Sequence, residues 1–177
     1  MPKFIVGARL HDYGKGSPDE LFGRVAADGF AAVQLAYKKC VPSVRSYADV
    51  TDALVAETVA AEKAHSIQVA VLGTYVELAI NDESRLKNAA DFKSQLAVCK
   101  ALGAGTTSME KQPAGTTREE AQELLCRSLA DILPAAEALG VTVAVEPVTY
   151  HSMNSAAATR HILDTMRSQN LKVIFDM

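Results

Sequence analysis

Two carboxylates stand out by where they fall in the chain. Glu146 closes the run Val141-Thr142-Val143-Ala144-Val145-Glu146, and Asp176 closes Lys172-Val173-Ile174-Phe175-Asp176. Each run is short, mostly apolar and rich in β-branched residues, the pattern of a strand buried on both faces. A carboxylate at the last residue of such a strand sits at the rim where a parallel barrel places its chemistry. Pro147 follows Glu146; proline brings no N–H to a ladder, so the strand should stop there and leave the carboxylate at the rim. Two such groups about one βα unit apart suggest a shared divalent cation. Oxygen donors of this kind suit Mg²⁺ or Mn²⁺, and an added imidazole widens the choice to Co²⁺ or Zn²⁺.

Further candidates lie near the same predicted rim. His151 follows Glu146 by five residues, in Thr149-Tyr150-His151-Ser152. It could contact substrate or steady a ligand, or be a loop histidine without a role. His11 lies just beyond the first strand and is a candidate substrate contact. Glu110 ends Thr106-Thr107-Ser108-Met109-Glu110, with Lys111 beside it as a possible ion-pair partner. Tyr75 ends the third strand and could hydrogen-bond a sugar hydroxyl, or only pack. His65 and His161 fall in predicted helices and read as packing or surface residues.

These groups need a scaffold, and the scaffold has a rhythm. Strand-like runs occur at Phe4–Leu10, Ala31–Ala36, Gln68–Tyr75, Thr106–Met109, Val141–Glu146 and Leu171–Asp176. Helical segments separate them. Ser17-Pro18-Asp19-Glu20 and Thr117-Arg118-Glu119-Glu120 are capping boxes, and their helices should end near Gly29 and Gly140. Pro134 should kink or split the second. A helix from Asp82 or Glu83 to Leu102 carries an apolar stripe of Leu86, Ala89, Ala90, Phe92, Leu96, Ala97 and Cys99. Thr51–His65 and Ser155–Ser168 complete the set.

Alternating strands and helices mean βαβ units and a parallel sheet. The fold class is α/β, of the (β/α)₈ TIM-barrel type. A closed barrel takes about 250 residues, so 177 residues hold about six βα units of an incomplete barrel. The expectation is one domain over residues 1–177, incomplete at its C-terminus. A doubly wound open sheet is the competing fold; against it, the first βα turn has glycines but no GxGxxG running into a helix. Six strands would leave edges unpaired, which predicts either a longer polypeptide or self-association as a homo-oligomer.

Composition narrows the partners. A net charge of −3 supplies no electrostatic footprint for nucleic acid. The longest apolar stretch, Ile67 to Ile80, is interrupted and too short to span a bilayer, so no membrane partner is expected. Cys40, Cys99 and Cys126 show no CxxC pairing and read as reduced thiols. With no signal-peptide pattern at the N-terminus, the expected location is cytoplasmic.

Four stretches carry a family resemblance. They are Gly29-Phe30-Ala31-Ala32-Val33-Gln34-Leu35; Leu72-Gly73-Thr74-Tyr75-Val76-Glu77-Leu78; Phe92-Lys93 with Ala101-Leu102-Gly103-Ala104; and Val145-Glu146-Pro147-Val148 with Val173-Ile174-Phe175-Asp176. In this order they resemble the sugar phosphate isomerase/epimerase family, the xylose-isomerase-like TIM barrels. The resemblance implies a divalent metal on Glu146 and Asp176, and proton transfer by Glu146. The family takes a further histidine and glutamate from positions beyond this chain. It also implies a small sugar, sugar phosphate or related polyol as substrate, isomerised or epimerised through an enediolate. Two alternatives stay open: a non-catalytic sugar- or metal-binding barrel remnant, and a hydrolase or lyase like the AP endonucleases of the same superfamily. The latter use several strand-end histidines; here strands two and three end Ala36-Tyr37-Lys38 and Gly73-Thr74-Tyr75.

Overall fold

The computed structural model describes residues 4–175. The chain divides into two compact units: the chain through Gly73 together with Val98–Ala104, and Thr74–Ala97 together with the chain from Gly105 onward.

In the first unit, strand β1 (Gly7–Arg9) leads to a single 3-10 turn (Leu10–Tyr13), helix α1 (Pro18–Ala27), strand β2 (Ala32–Leu35), a one-turn helix α2 (Tyr37–Cys40) and helix α3 (Asp52–His65). Strand β3 (Gln68–Glu77) then begins. β2 lies between β1 and β3 and runs parallel to both, with Gly7 opposite Ala32 and Leu35 opposite Leu72. Gly7 is required by close approach: a Cβ there would meet the Ala32 carbonyl oxygen at 2.8 Å. α1 starts where its sequence says it should. The Ser17 hydroxyl accepts from the Glu20 N–H at 3.3 Å, and the Glu20 carboxylate accepts from the Ser17 N–H at 2.9 Å, the reciprocal box that satisfies two orphan donors. Leu21, Phe22 and Val25 of α1 are fully buried, and His65 of α3 meets Asp19 of α1 at 2.8 Å.

β1 is shorter than the apolar run that predicts it. Leu10 leaves the strand for the 3-10 turn and is buried, while Phe4, Ile5 and Val6 are exposed. Of those three, Val6 still accepts a ladder bond, from the Ala31 N–H at 3.2 Å. An apolar run becomes a strand only where a neighbour supplies both a ladder and a covered face.

In the second unit come the remainder of β3, helix α4 (Asp82–Leu102) as far as Ala97, strand β4 (Gly105–Met109), helix α5 (Arg118–Leu139), strand β5 (Val143–Val145), helix α6 (Ala156–Met166) and strand β6 (Leu171–Val173). β4, β5 and β6 are parallel neighbours in that order, with Thr107 opposite Ala144 and Val145 opposite Val173. α5 has its predicted capping box on Thr117 and ends at Gly140, which takes φ 68°. It does not split at Pro134. Leu129, Ile132, Leu133 and Ala136 are buried on both sides of the proline, so packing keeps the helix continuous through the one missing N–H. α4 buries a narrower stripe than expected: Ala89, Phe92, Leu96 and Cys99 are inside, whereas Leu86, Ala90 and Ala97 are exposed. All three cysteines are free.

Six strands alternate with helices and every strand pair just given is parallel, the α/β arrangement of a TIM-barrel-type chain. No helix among the described residues is long and apolar enough to cross a membrane.

Candidate functional site

The strand ends of the second unit assemble a polar cluster. β5 terminates at Val145, so Glu146 is the first residue beyond it and is half-buried. β4 terminates at Met109, so Glu110 holds the corresponding position one strand earlier. The two side chains are handled differently. Alternation along β4 puts Ser108 and Glu110 on one face and Thr107 on the other. The register of Thr107 with Ala144 then carries Glu146, two residues past Ala144, to the face of Thr107.

Glu110 is 0% exposed. Its Oε1 accepts from the Ser108 hydroxyl, which lies two residues back on the same strand face. Its Oε2 accepts from the backbone N–H of Glu146 at 3.4 Å and lies 3.4 Å from Nδ1 of His151. His151 is 3% exposed, and its Nδ1 is 2.8 Å from the Glu146 carbonyl oxygen. A carbonyl oxygen only accepts, so Nδ1 carries the proton. Burial alone would pull the His151 pKa down. The Glu110 carboxylate and the Glu146 carbonyl and charge outweigh it, and the net shift is upward.

The loop from Glu146 to Ser152 is fastened at its far end too. The Glu110 carbonyl accepts from the Ser152 N–H at 2.9 Å and from its hydroxyl at 3.2 Å. The Gln122 amide of α5 donates to the Ser152 carbonyl at 3.1 Å. Lys111 and His151 form an antiparallel bridge, and the Gln112 N–H donates to the Tyr150 carbonyl at 3.3 Å. Ser108, Gln122 and Ser152 were not candidates from sequence. Ser108 was findable, because alternation puts it beside Glu110; the other two depend on how two loops meet.

The remaining candidates lie apart from this cluster in the chain. His11 belongs to the first unit, half-buried in the 3-10 turn after β1. Its pKa is lowered by burial first and then by the nearby positive charge of Lys39, with Asp12 opposing. Tyr75 is half-buried within β3 and holds φ 55°, a left-handed conformation that costs a bulky residue on the order of 1–3 kcal/mol. Asp176 lies outside the described residues. Among those described, no group of three or more His, Cys, Asp or Glu side chains could hold a metal ion. Glu146, half-buried just past the end of β5, carries oxygen donors of the kind a hard divalent cation takes.

A groove of about 400 Å³ opens beside Pro147, between the start of α6 and the end of β6; Ser155, Thr159, Arg160 and Phe175 help line it. Its wall is largely apolar, a poor match to a polyol.

Comparison with known proteins gives the following. The family model of the xylose isomerase-like TIM barrel matches residues 22–177. Among solved structures, 3-keto-D-glucoside 4-epimerase from E. coli superposes with a TM-score of 0.76 at 15% identity, covering 97% of this chain and 67% of its own. The IOLI protein with a bound zinc atom has a TM-score of 0.76 at 17% identity, covering 98% and 63%. A xylose isomerase-like TIM barrel protein from Mycobacterium smegmatis in complex with magnesium has a TM-score of 0.74 at 12% identity, covering 97% and 64%. The chain thus spans about two thirds or less of the length of these structures. Likeness at these identities speaks to fold. No curated protein matches the sequence.

Proposed function

The chain belongs to the xylose isomerase-like TIM-barrel family, and from that premise we propose that it serves a metal-dependent isomerase or epimerase acting on a small sugar, sugar phosphate or related polyol. The observation that carries the reading is Glu146: a half-buried carboxylate immediately past the C-terminal end of β5, where a parallel barrel keeps its chemistry. Two solved structures of the same fold are described with zinc and with magnesium, which supports a divalent cation here.

Glu146, joined by Asp176, would hold the cation, which when bound offsets negative charge gathering on substrate oxygens. Mn²⁺, Mg²⁺, Co²⁺ and Zn²⁺ all suit such a site. Glu146 would remove the proton from the carbon next to the substrate carbonyl to give an enediolate; isomerisation returns that proton from Glu146 to the neighbouring carbon on the same face, whereas epimerisation takes a proton from a second carboxyl group on the opposite face of the substrate. His11 and Tyr75 are the proposed contacts for substrate hydroxyls. Glu110 and His151, expected from sequence at the substrate, are almost wholly inaccessible.

Isotope exchange tests the proposal. The chain, Mn²⁺ and a ketose in D₂O should incorporate deuterium next to the carbonyl, and Glu146→Gln should slow this by about 10²–10⁴-fold. Unchanged exchange in Glu146→Gln would remove this residue from the role. Binding of the sugar with no exchange in wild type would favour a non-catalytic sugar-binding chain instead.

A further inference from the structure

Glu110 and His151 form a buried titratable pair that the proposed proton transfer does not use. The contacts around them converge on Glu146. The N–H of Glu146 points to Glu110 Oε2, and the C=O of Glu146 receives the proton of His151 Nδ1. Both peptide groups of one residue are therefore held, one by each member of the pair, while the two members face each other at 3.4 Å. Glu110 also works from its main chain, taking the Ser152 N–H and hydroxyl on its carbonyl. One residue thus pins both the first and the last position of the loop from Glu146 to Ser152.

We propose that Glu110 and His151 are positioning residues, a clamp that fixes the backbone of Glu146 and so sets where its carboxylate stands. Burial argues against direct substrate contact for either. Glu110 is 0% exposed and its carboxylate oxygens are turned to Ser108, Glu146 and His151. His151 is 3% exposed, and the Tyr150 ring stands perpendicular to its ring with centroids 4.9 Å apart. A buried carboxylate retained among satisfied donors rigidifies its surroundings, and a strand-end acid needs rigidity because displacement of about 1 Å is costly in catalysis. The clamp stands on geometry alone; that it serves chemistry rests on the reading of Glu146 above.

Two variants of one residue separate positioning from mere packing. His151→Leu removes the donor to the Glu146 carbonyl, and His151→Asn keeps an N–H near the Nδ1 position. Hydrogen exchange of peptides spanning residues 143–155 should quicken on the order of tenfold in His151→Leu, because local opening becomes easier. Mn²⁺ affinity by calorimetry should fall about tenfold, the usual effect of losing a group that orients a ligand. His151→Asn should recover most of both. Glu110→Gln, which keeps shape but turns an amide toward donors, should move exchange and affinity in the same direction as His151→Leu. Exchange in His151→Leu and Glu110→Gln identical to wild type would overturn the clamp, as would an Asn variant no better than Leu. Quickened exchange with Mn²⁺ binding unmoved, in a chain whose Glu146→Gln variant has lost that binding, would overturn positioning of the carboxylate. Should Glu146→Gln itself bind Mn²⁺ like wild type, the functional reading fails, and the exchange measurements alone decide the clamp.

Discussion

The two units use the same βα grammar and bury different things. In the first, Thr58 is the one polar residue buried among those described, apart from its partner Tyr37, whose hydroxyl lies 2.8 Å away. The other ten buried polar residues belong to the second unit, including Glu110, His151, Ser108 and Ser152. Burying a polar group gains little unless every partner is present. The core of the second unit therefore depends on polar partners as well as on apolar packing. The first unit keeps its reactive groups silent: burial raises the Cys40 thiol to about 11 and pushes the Tyr37 phenol up as well. The second unit instead gathers a carboxylate, an imidazole and hydroxyls at strand ends.

The comparison breaks first if the units differ in packing rather than in polarity. Phe22 of α1 and Phe92 of α4 are both fully buried. Phe22→Ala and Phe92→Ala should each cost about 3–5 kcal/mol, measured by urea unfolding. A cost near zero for one of them would show that its unit is loosely packed and would make the polar difference secondary.

The next test goes to polarity itself. Glu110→Ala strands the Ser108 hydroxyl and the Glu146 N–H inside the second unit, a loss of about 3 kcal/mol at 1–3 kcal/mol per unsatisfied group. Tyr37→Phe in the first unit leaves Thr58 still bonded to the Leu54 carbonyl at 2.9 Å, and should cost about 1 kcal/mol. Equal losses would mean that the buried polar groups of the second unit are no more interlocked than a single hydroxyl pair.

The same contrast explains what could be read from sequence. Local signals were legible: the Ser17 and Thr117 boxes, the glycine stop at Gly140, the parallel α/β class and the rim position of Glu146 all follow from short-range rules. The family and the barrel type were legible too. Strand lengths were not, because Phe4–Val6 have the composition of a strand but are exposed. Nor was the Pro134 passage, which depends on buried leucines holding both flanks. The clamp was least legible. Sequence marks Glu110 and His151 as chemically interesting, but their closeness arises from the bridge between Lys111 and His151, a loop-to-loop pairing with no periodic signature.

Histidine titration sharpens the comparison without relying on mutation. His11 of the first unit is held below 6.5 by burial and by Lys39, and His151 of the second is held above it by the Glu110 and Glu146 groups despite burial. A lowered histidine means that the unfolded chain takes up the proton first. The His11 contribution to stability is therefore lost as pH falls below 6.5 toward its folded value. A raised histidine has the opposite sign: the His151 contribution is complete below 6.5 and disappears as pH rises through its folded value. Imidazole proton shifts followed by NMR should place the two on opposite sides of 6.5. Both on one side would remove the electrostatic distinction between the units.

The smallest expected effect concerns backbone alone, where the units should agree. Ser66 after α3 and Arg167 after α6 cap their helices in the left-handed region, at φ 55° and 49°. A non-glycine residue there costs about 1–2 kcal/mol. Glycine removes that strain but brings roughly 0.5–1 kcal/mol of extra unfolded-chain entropy. Ser66→Gly should therefore stabilise the first unit by about 0.5 kcal/mol. Arg167→Gly gains the same backbone relief but gives up the guanidinium bond to the Asp164 carbonyl at 3.2 Å. That exposed bond is worth a few tenths of a kcal/mol, so the net gain in the second unit should be close to zero. Unfolding midpoints of the two variants, compared at one pH and salt, measure the difference directly. A larger gain for Arg167→Gly than for Ser66→Gly would show that the α6 cap is strained beyond its φ, and the units would then differ in backbone as well as in what they bury.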